Sequence, residues 1–229
     1  PGAGGLPCSV TADFDLDYTQ RQKTVGFSFT RDMSELKFGP KKVSPVLRLE
    51  VTYEIDKAFN RQVIKDPFIP GLVAVGTPAL IGTKEDTITH RDQISTLIGL
   101  DYNLWLSGWE NQRSSIFMTS QFFNIHTKDH ENLMFQAPYA FLDVEENQQY
   151  FTQTYSFGLL NDIVILDGLA VWDLSKGGFA YRQRITFSTL GNKVIPRIEI
   201  GTFSGREEGG LLALYKQSDY VEFSITYQF

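Results

Sequence analysis

The sequence predicts an all-β fold, namely a transmembrane antiparallel up-and-down β-barrel with about ten strands in this chain. Three observations lead to this prediction. Apolar and polar residues alternate in many runs, charged residues keep to one side of the clearest runs, and the long connections fall at one end. Because no stretch shows a clear 3.6-residue period, we expect little helix.

The composition excludes several classes of protein. The chain has 229 residues, a formal net charge of −6 and a single cysteine, Cys8. Without a compact basic cluster, the acidic chain does not fit nucleic-acid binding. One cysteine allows neither an intrachain disulfide nor a cysteine-based metal site. No apolar run reaches the roughly 18 residues of a membrane-spanning helix.

The clearest strands show strict alternation. In "SDYVEFSITYQF" (218–229), Val221, Phe223 and Ile225 face one way and the intervening polar residues the other. "VTADFDLDY" (10–18) and "LRLEVTYEI" (47–55) have the same form. The other predicted strands are Thr24 to Thr30, Ile98 to Leu104, Ser115 to Phe123, Tyr150 to Leu160, Asp162 to Leu174, Tyr181 to Phe187 and Arg197 to Phe203.

The connections predict a single barrel domain over residues 1–229, with 1–9 as a loop or terminal segment. Long outer loops are expected at about 56–91, 127–147 and 205–217, all at one end of the strands. Most connections at the other end are short. This layout is typical of transmembrane barrels.

Alternation also fits a soluble β-sandwich, which is the alternative fold. The membrane reading is favoured because the arginines of the clearest strands avoid the apolar face, where one near the bilayer midplane costs about 2–4 kcal/mol. Aromatic residues gather near strand ends, as expected for interfacial girdles, and include Tyr53, Trp172 and Tyr220. The chain would be either a complete barrel or the C-terminal part of a larger one.

The last strand ends in Tyr227, Gln228 and Phe229, and this ending resembles the closing strand of Gram-negative outer-membrane β-barrel proteins. The resemblance implies a bacterial outer-membrane location, contact with outer-membrane lipid, and an assembly signal at Tyr227 and Phe229 that the barrel-assembly machinery reads. "LIGLDYNLWL" and "SIFMTSQFF" are similar, more loosely, to segments of a porin-like proteobacterial barrel family of unassigned function.

The charged residues of the polar side are predicted to line one lumen. They would form either a salt-bridge network that fills the lumen or the wall of an aqueous path, and their mixed signs predict weak ion selectivity. The predicted lumen-lining residues are Arg48, Glu50, Glu54, Asp101, Arg182, Arg184, Arg197, Glu199 and Glu222.

Catalytic and metal-binding patterns are weak. "HTKDHE" (126–131) has ligand-type residues but reads as a solvated loop, so we expect no metal and no cofactor. An outer-membrane hydrolase would need His90 or His126 beside Ser95 or Ser120, and neither serine has a nucleophile-elbow context. We therefore expect no catalytic residues and no enzyme.

Three apolar stretches lie in the long connections, at 67–82, 132–142 and 209–215. They would form a gate, dip into the outer leaflet, bind a protein partner or pack as a cap. The expected function is a porin-like channel for passive uptake or export of small solutes, hydrophobic ones among them. The alternative is a non-conducting barrel that docks a partner through its loops, and a hydrolase is third.

Overall fold

In the computed structural model, the described residues are 22–37, 43–61, 88–105, 115–131, 134–135, 144–160, 162–188, 193–205, 212 and 215–227. Within these ranges the chain forms β-strands and turns, with no α-helix. The strands are β1 (Lys23–Asp32), β2 (Val46–Arg61), β3 (Ile88–Leu104), β4 (Ile116–Thr127), β5 (Met134–Phe135), β6 (Asn147–Leu159), β7 (Val164–Asp173), β8 (Gly178–Phe187), β9 (Val194–Ser204) and β10 (Tyr220–Tyr227).

The strands form one sheet in which successive long strands pair antiparallel, in the order β1-β2-β3-β4-β6-β7-β8-β9-β10. The short β5 pairs with β2. This confirms the predicted all-β, antiparallel, up-and-down arrangement. The sheet is not closed among the described residues, where β1 and β10 each have one neighbour. The predicted strand at Val10 to Tyr18 lies outside those residues.

Strands β2 and β3 are longer than the sequence predicted. The predicted loop at 56–91 was too long at both ends, because β2 continues to Arg61 and β3 begins at Ile88. A β-bulge between Glu54 and Lys57 explains the early end predicted for β2, since an extra residue in that strand interrupts the period-2 pattern. Asp56 has a φ of 58° in the bulge, a conformation that Asp tolerates better than most residues.

The side chain of Asp92 holds this bulge in place. Its Oδ1 accepts a hydrogen bond from the Asp56 backbone N–H at 3.1 Å, and its Oδ2 accepts one from the Tyr53 hydroxyl. The two extended strands therefore continue as a regular pair beyond the point where their alternation breaks.

The register defines two faces of the sheet, because directly paired residues point to the same side. Arg184 lies between Asp167 and Glu199 on the face that we call polar. Ile198 lies between Ile185 and Phe223 on the opposite face, which we call apolar.

The up-and-down order also defines two ends. Connections 62–87, 128–146, 174–177 and 205–219 leave the sheet at one end, which we call the mouth. Connections 33–45, 105–115, 160–163 and 188–193 leave at the other end. The buried apolar cluster of the described residues, Phe59, Met134 and Val144, lies at the mouth.

Candidate solute path on the polar face

The register places all nine predicted lumen-lining residues on the polar face. On β2 and β3 these are Arg48, Glu50, Glu54 and Asp101, and on β8, β9 and β10 they are Arg182, Arg184, Arg197, Glu199 and Glu222. The two groups are linked across the sheet by neutral polar residues, such as Gln121 paired with Thr152. That this face lines a lumen stays a prediction.

Several of these charges form ion pairs between neighbouring strands. Arg48 Nε lies 2.9 Å from Asp101 Oδ2, and the Thr119 hydroxyl donates to Asp101 Oδ1 at 2.7 Å. On the same face, but toward the β10 edge of the sheet, Arg184 Nε donates to Glu199 Oε2 at 2.8 Å. The Tyr220 hydroxyl donates to Glu199 Oε1 at 2.7 Å. These contacts neutralise charge and connect strands at the same time.

Other charges of the polar face have no such partner. Within the described part of the chain, neither Arg182 nor Glu50 makes a hydrogen bond or ion pair. The Nε of Arg197 is buried and has no acceptor there. The polar face is therefore a partly paired surface, with charges left to interact with water or a solute.

A groove of about 280 Å³ lies on the polar face over β6, β7 and β8. Its polar-face lining comprises Phe117, Thr154, Ser156, Asp167, Leu169 and Arg182. The Ser156 hydroxyl donates to Asp167 Oδ1 at 2.6 Å. The groove thus combines an aromatic side chain, two hydroxyls, a carboxylate and a guanidinium.

The connection between β4 and β6 folds across the polar face at the mouth. It leaves β4, pairs with the far edge of β2 through β5, and returns to β6. On that path Met134 becomes fully buried against Phe59, which the register places on the polar face. The described part of the predicted apolar loop 132–142 therefore lies on the polar face.

Polar contacts fix this connection. Arg91 Nε donates to the Asp129 carbonyl at 2.7 Å, and Arg91 also pairs with Glu131. A ring nitrogen of His130 contacts the Val144 carbonyl. Together with the Met134–Phe59 packing, these contacts attach the connection to β3 and to its own returning segment.

A second connection, between β9 and β10, also folds onto the polar face at the mouth. The rings of Tyr215 and Phe203 pack with centroids 5.7 Å apart. Leu212 covers Gly178, where an added Cβ would lie 2.9 Å from the Leu212 Cβ. Both Phe203 and Gly178 are polar-face positions. Two connections therefore cover part of the polar face at the mouth.

The apolar face carries a row of aromatic rings near the mouth. Trp172 packs between Phe151 and Phe179, with centroid distances of 5.5 and 5.3 Å. The row agrees in position with a predicted girdle. Tyr220, which the sequence placed among the girdle residues, lies on the polar face instead, because it pairs with Gly201 and bonds to Glu199.

Sequence reasoning missed a polar network on the apolar face. Tyr155 Oη lies 2.7 Å from Tyr181 Oη and also contacts Gln183. The Tyr155 ring lies over Gly168, where an added Cβ would overlap the ring. The sequence does show a glycine at position 168 and polar residues where the alternation expects apolar ones. Only the strand register shows that these residues lie next to each other.

The histidines and serines considered for catalysis do not converge. Ser120 donates to Gln153 at 2.6 Å, and His126 contacts Asn147 at 3.0 Å. Ser95 lies on the polar face, whereas His126 lies on the apolar face. His126 and Thr127 belong to β4, which corrects the start of the predicted loop, whereas residues 128–131 of "HTKDHE" form a turn and coil as predicted. The described residues contain no cluster of three or more metal-ligand side chains.

Of the predicted assembly signal, Tyr227 is the last residue of β10, and Phe229 lies outside the described residues. No helix within the described ranges is long and apolar enough to cross a membrane. The chain matches no protein-family model, no curated protein and no solved structure.

Proposed function

We propose that this chain forms a porin-like channel of the bacterial outer membrane for passive passage of small solutes. The observation that carries the proposal is the distribution of exposed apolar side chains. On the strands, all but one of the exposed large hydrophobic residues lie on the apolar face, the exception being Phe117. They are Val25, Phe27, Phe29, Val51, Ile94, Ile98, Ile200, Val221, Phe223, Ile225 and Tyr227.

These residues form two groups, on β1 to β3 and on β9 and β10, and exposed apolar surface of this kind favours a cover, because soluble monomers rarely expose apolar patches beyond a few hundred Å². Lipid is the cover that fits a single sheet with polar groups on its other side. The ion pairs Arg48–Asp101 and Arg184–Glu199 then belong to a water-accessible interior.

Closure of the sheet into a barrel would require further strands. Since nine strands alternate in direction from β1 to β10, the two edge strands run parallel to each other. An all-antiparallel barrel needs one more strand, or another odd number, between those edges. The alternating segment at Val10 to Tyr18 is the sequence-predicted candidate. Closure would remove both free edges.

The inward connections at the mouth set the size of the path. Met134 and Leu212 would form its apolar rim and exclude large solutes, whereas the mixed charges below them would give weak ion selectivity. This geometry also favours the second candidate, a non-conducting barrel that binds a protein partner at its mouth, because the same connections partly cover the polar face.

Conductance of the full chain in planar bilayers separates these candidates. The channel proposal expects stepwise conductance that rises in Met134→Ala, where the mouth cluster loses packing. Glu50→Gln is the control for a polar-face change away from the mouth. A protein that inserts, as judged by protease protection in liposomes, but conducts no ions would contradict the channel and favour the partner-binding barrel.

A further inference from the structure

The groove on the polar face contains a guanidinium whose donors can bind a ligand. Arg182 is exposed and makes no hydrogen bond or ion pair among the described residues, although its charge acts on Glu199 and Tyr220. Arg184, its neighbour on the same strand and face, is hydrogen-bonded to Glu199. A guanidinium presents parallel donors that match a carboxylate. Arg182 is the basic side chain in the lining of the groove.

The groove also offers an aromatic wall. Phe117 is 45% exposed and lies on the polar face, although the other exposed large hydrophobic residues of the described strands lie on the apolar face. Leu169 continues this wall next to Arg182, with which it is directly paired. A planar ring would cover both side chains and remove apolar surface from water.

The third element is an acceptor opposite the guanidinium. Ser156 donates to Asp167 Oδ1, which leaves Oδ2 to accept from a ligand. Asp167 pairs with Arg184, so it stands diagonally from Arg182, at a Cα separation of about 7–8 Å. The two side chains therefore offer a donor and an acceptor from neighbouring strands on the same face.

We propose that this groove binds a small aromatic carboxylate that carries a hydroxyl group on the far side of its ring. The carboxylate binds Arg182, the ring packs on Phe117 and Leu169, and the hydroxyl donates to Asp167. The volume of about 280 Å³ lies just below the usual range of small-molecule sites, which favours a ligand with a single ring. The inference rests on the proposed channel function, because the groove must be reached from water.

Isothermal titration of the full chain in detergent micelles tests the binding without requiring conductance. The probe is 4-hydroxybenzoate, with benzoate and phenol as analogues that each lack one polar group. We expect each analogue to bind about tenfold more weakly or worse, since a hydrogen bond to a charged group is lost. Planar bilayers then provide a separate readout, in which 4-hydroxybenzoate blocks the current.

Three variants distinguish specific binding in the groove from a general effect of charge on the polar face. Arg182→Gln should weaken binding of 4-hydroxybenzoate at least tenfold, and Asp167→Asn should reduce its preference over benzoate. Arg197→Gln is the matched control, because it removes the same charge from the same face outside the groove, and we expect less than a twofold change. Far-UV circular dichroism confirms the fold of each variant.

Two results would overturn the proposal. One is a wild-type protein that binds 4-hydroxybenzoate no better than phenol or benzoate, a comparison that needs no variant. The other is equal weakening by Arg182→Gln and Arg197→Gln. Binding without conductance would retain the groove and reject the channel, whereas conductance without binding would do the reverse.

Discussion

The two faces of this sheet consist of alternate residues of the same strands, yet they differ in the contacts that their side chains make. The polar face carries the ion pairs, the groove and the inward connections of the mouth. The apolar face leaves Phe223 and Ile225 about three quarters exposed, at 75% and 74%. This contrast between an exposed apolar face and a polar face that carries ion pairs and folded connections supports the proposed membrane environment.

The largest expected effect follows from placing a charge on the apolar face. Phe223→Arg should destabilise the protein in lipid by about 2–4 kcal/mol, because the guanidinium would face hydrocarbon near the midplane. Urea unfolding in liposomes measures this. Thr226→Arg on the polar face of the same strand is the control, and equal stability of the two variants would remove the distinction between the faces.

The next effect concerns the packing of Tyr155 over Gly168 on the apolar face. Gly168→Ala should cost about 1–3 kcal/mol, since the added methyl group overlaps the ring. Gly26→Ala is the matched control, because its Cβ would meet its nearest neighbours only at 3.7 Å. The free energy of unfolding measures both.

A double variant identifies the cause of that loss. In a Tyr155→Ala background, Gly168→Ala should cost little further, because the overlapping ring is absent. A full additional loss in the double variant would contradict the proposed contact between the ring and the glycine.

A smaller effect is expected on the polar face. Asp101→Asn should cost about 1 kcal/mol, since it weakens the half-buried ion pair with Arg48 and the hydrogen bond from Thr119. Glu50→Gln makes the same charge change at an exposed position without a partner among the described residues, and we expect almost no loss. Unfolding midpoints of the two variants at neutral pH provide the comparison.

The smallest expected effect is a change in the pKa of Glu35, which lies in the connection after β1, at the end opposite the mouth. A backbone hydrogen bond within Glu35 and the charge of Arg31, 2.6 Å away, hold the pKa of Glu35 below its ordinary value. The stabilisation is therefore present above the ordinary pKa of a glutamate and is lost as pH falls through the lowered one. An NMR titration of the Glu35 carboxyl should show a higher pKa in Arg31→Gln, and an unchanged pKa would exclude the pair as a cause.

The two faces could be predicted from sequence because side chains in a strand alternate with a period of two. That rule placed residues as distant as Arg48 and Glu222 on one face before any pairing was known. The bulge at Asp56 lies beyond the rule, since one extra residue reverses the alternation. The predicted β2 therefore ended too early.

The details of the site depend on contacts between distant segments. The groove is lined by both Phe117 of β4 and Arg182 of β8, and the mouth needs Met134 on Phe59. Neither neighbourhood follows from alternation, which fixes the side of the sheet but not the register between strands. Strand β5 was missed for the same reason, as two residues are too short to show a period.

The most direct test of the membrane assignment is the accessibility of single spin labels along β10, at 221 to 226, in liposomes. Each label is attached to an introduced cysteine in a Cys8→Ser background. The account predicts a period of two, with odd positions more accessible to oxygen dissolved in lipid and even positions to a water-soluble nickel complex. Equal access of the nickel complex to Phe223 and Ser224 positions would contradict it.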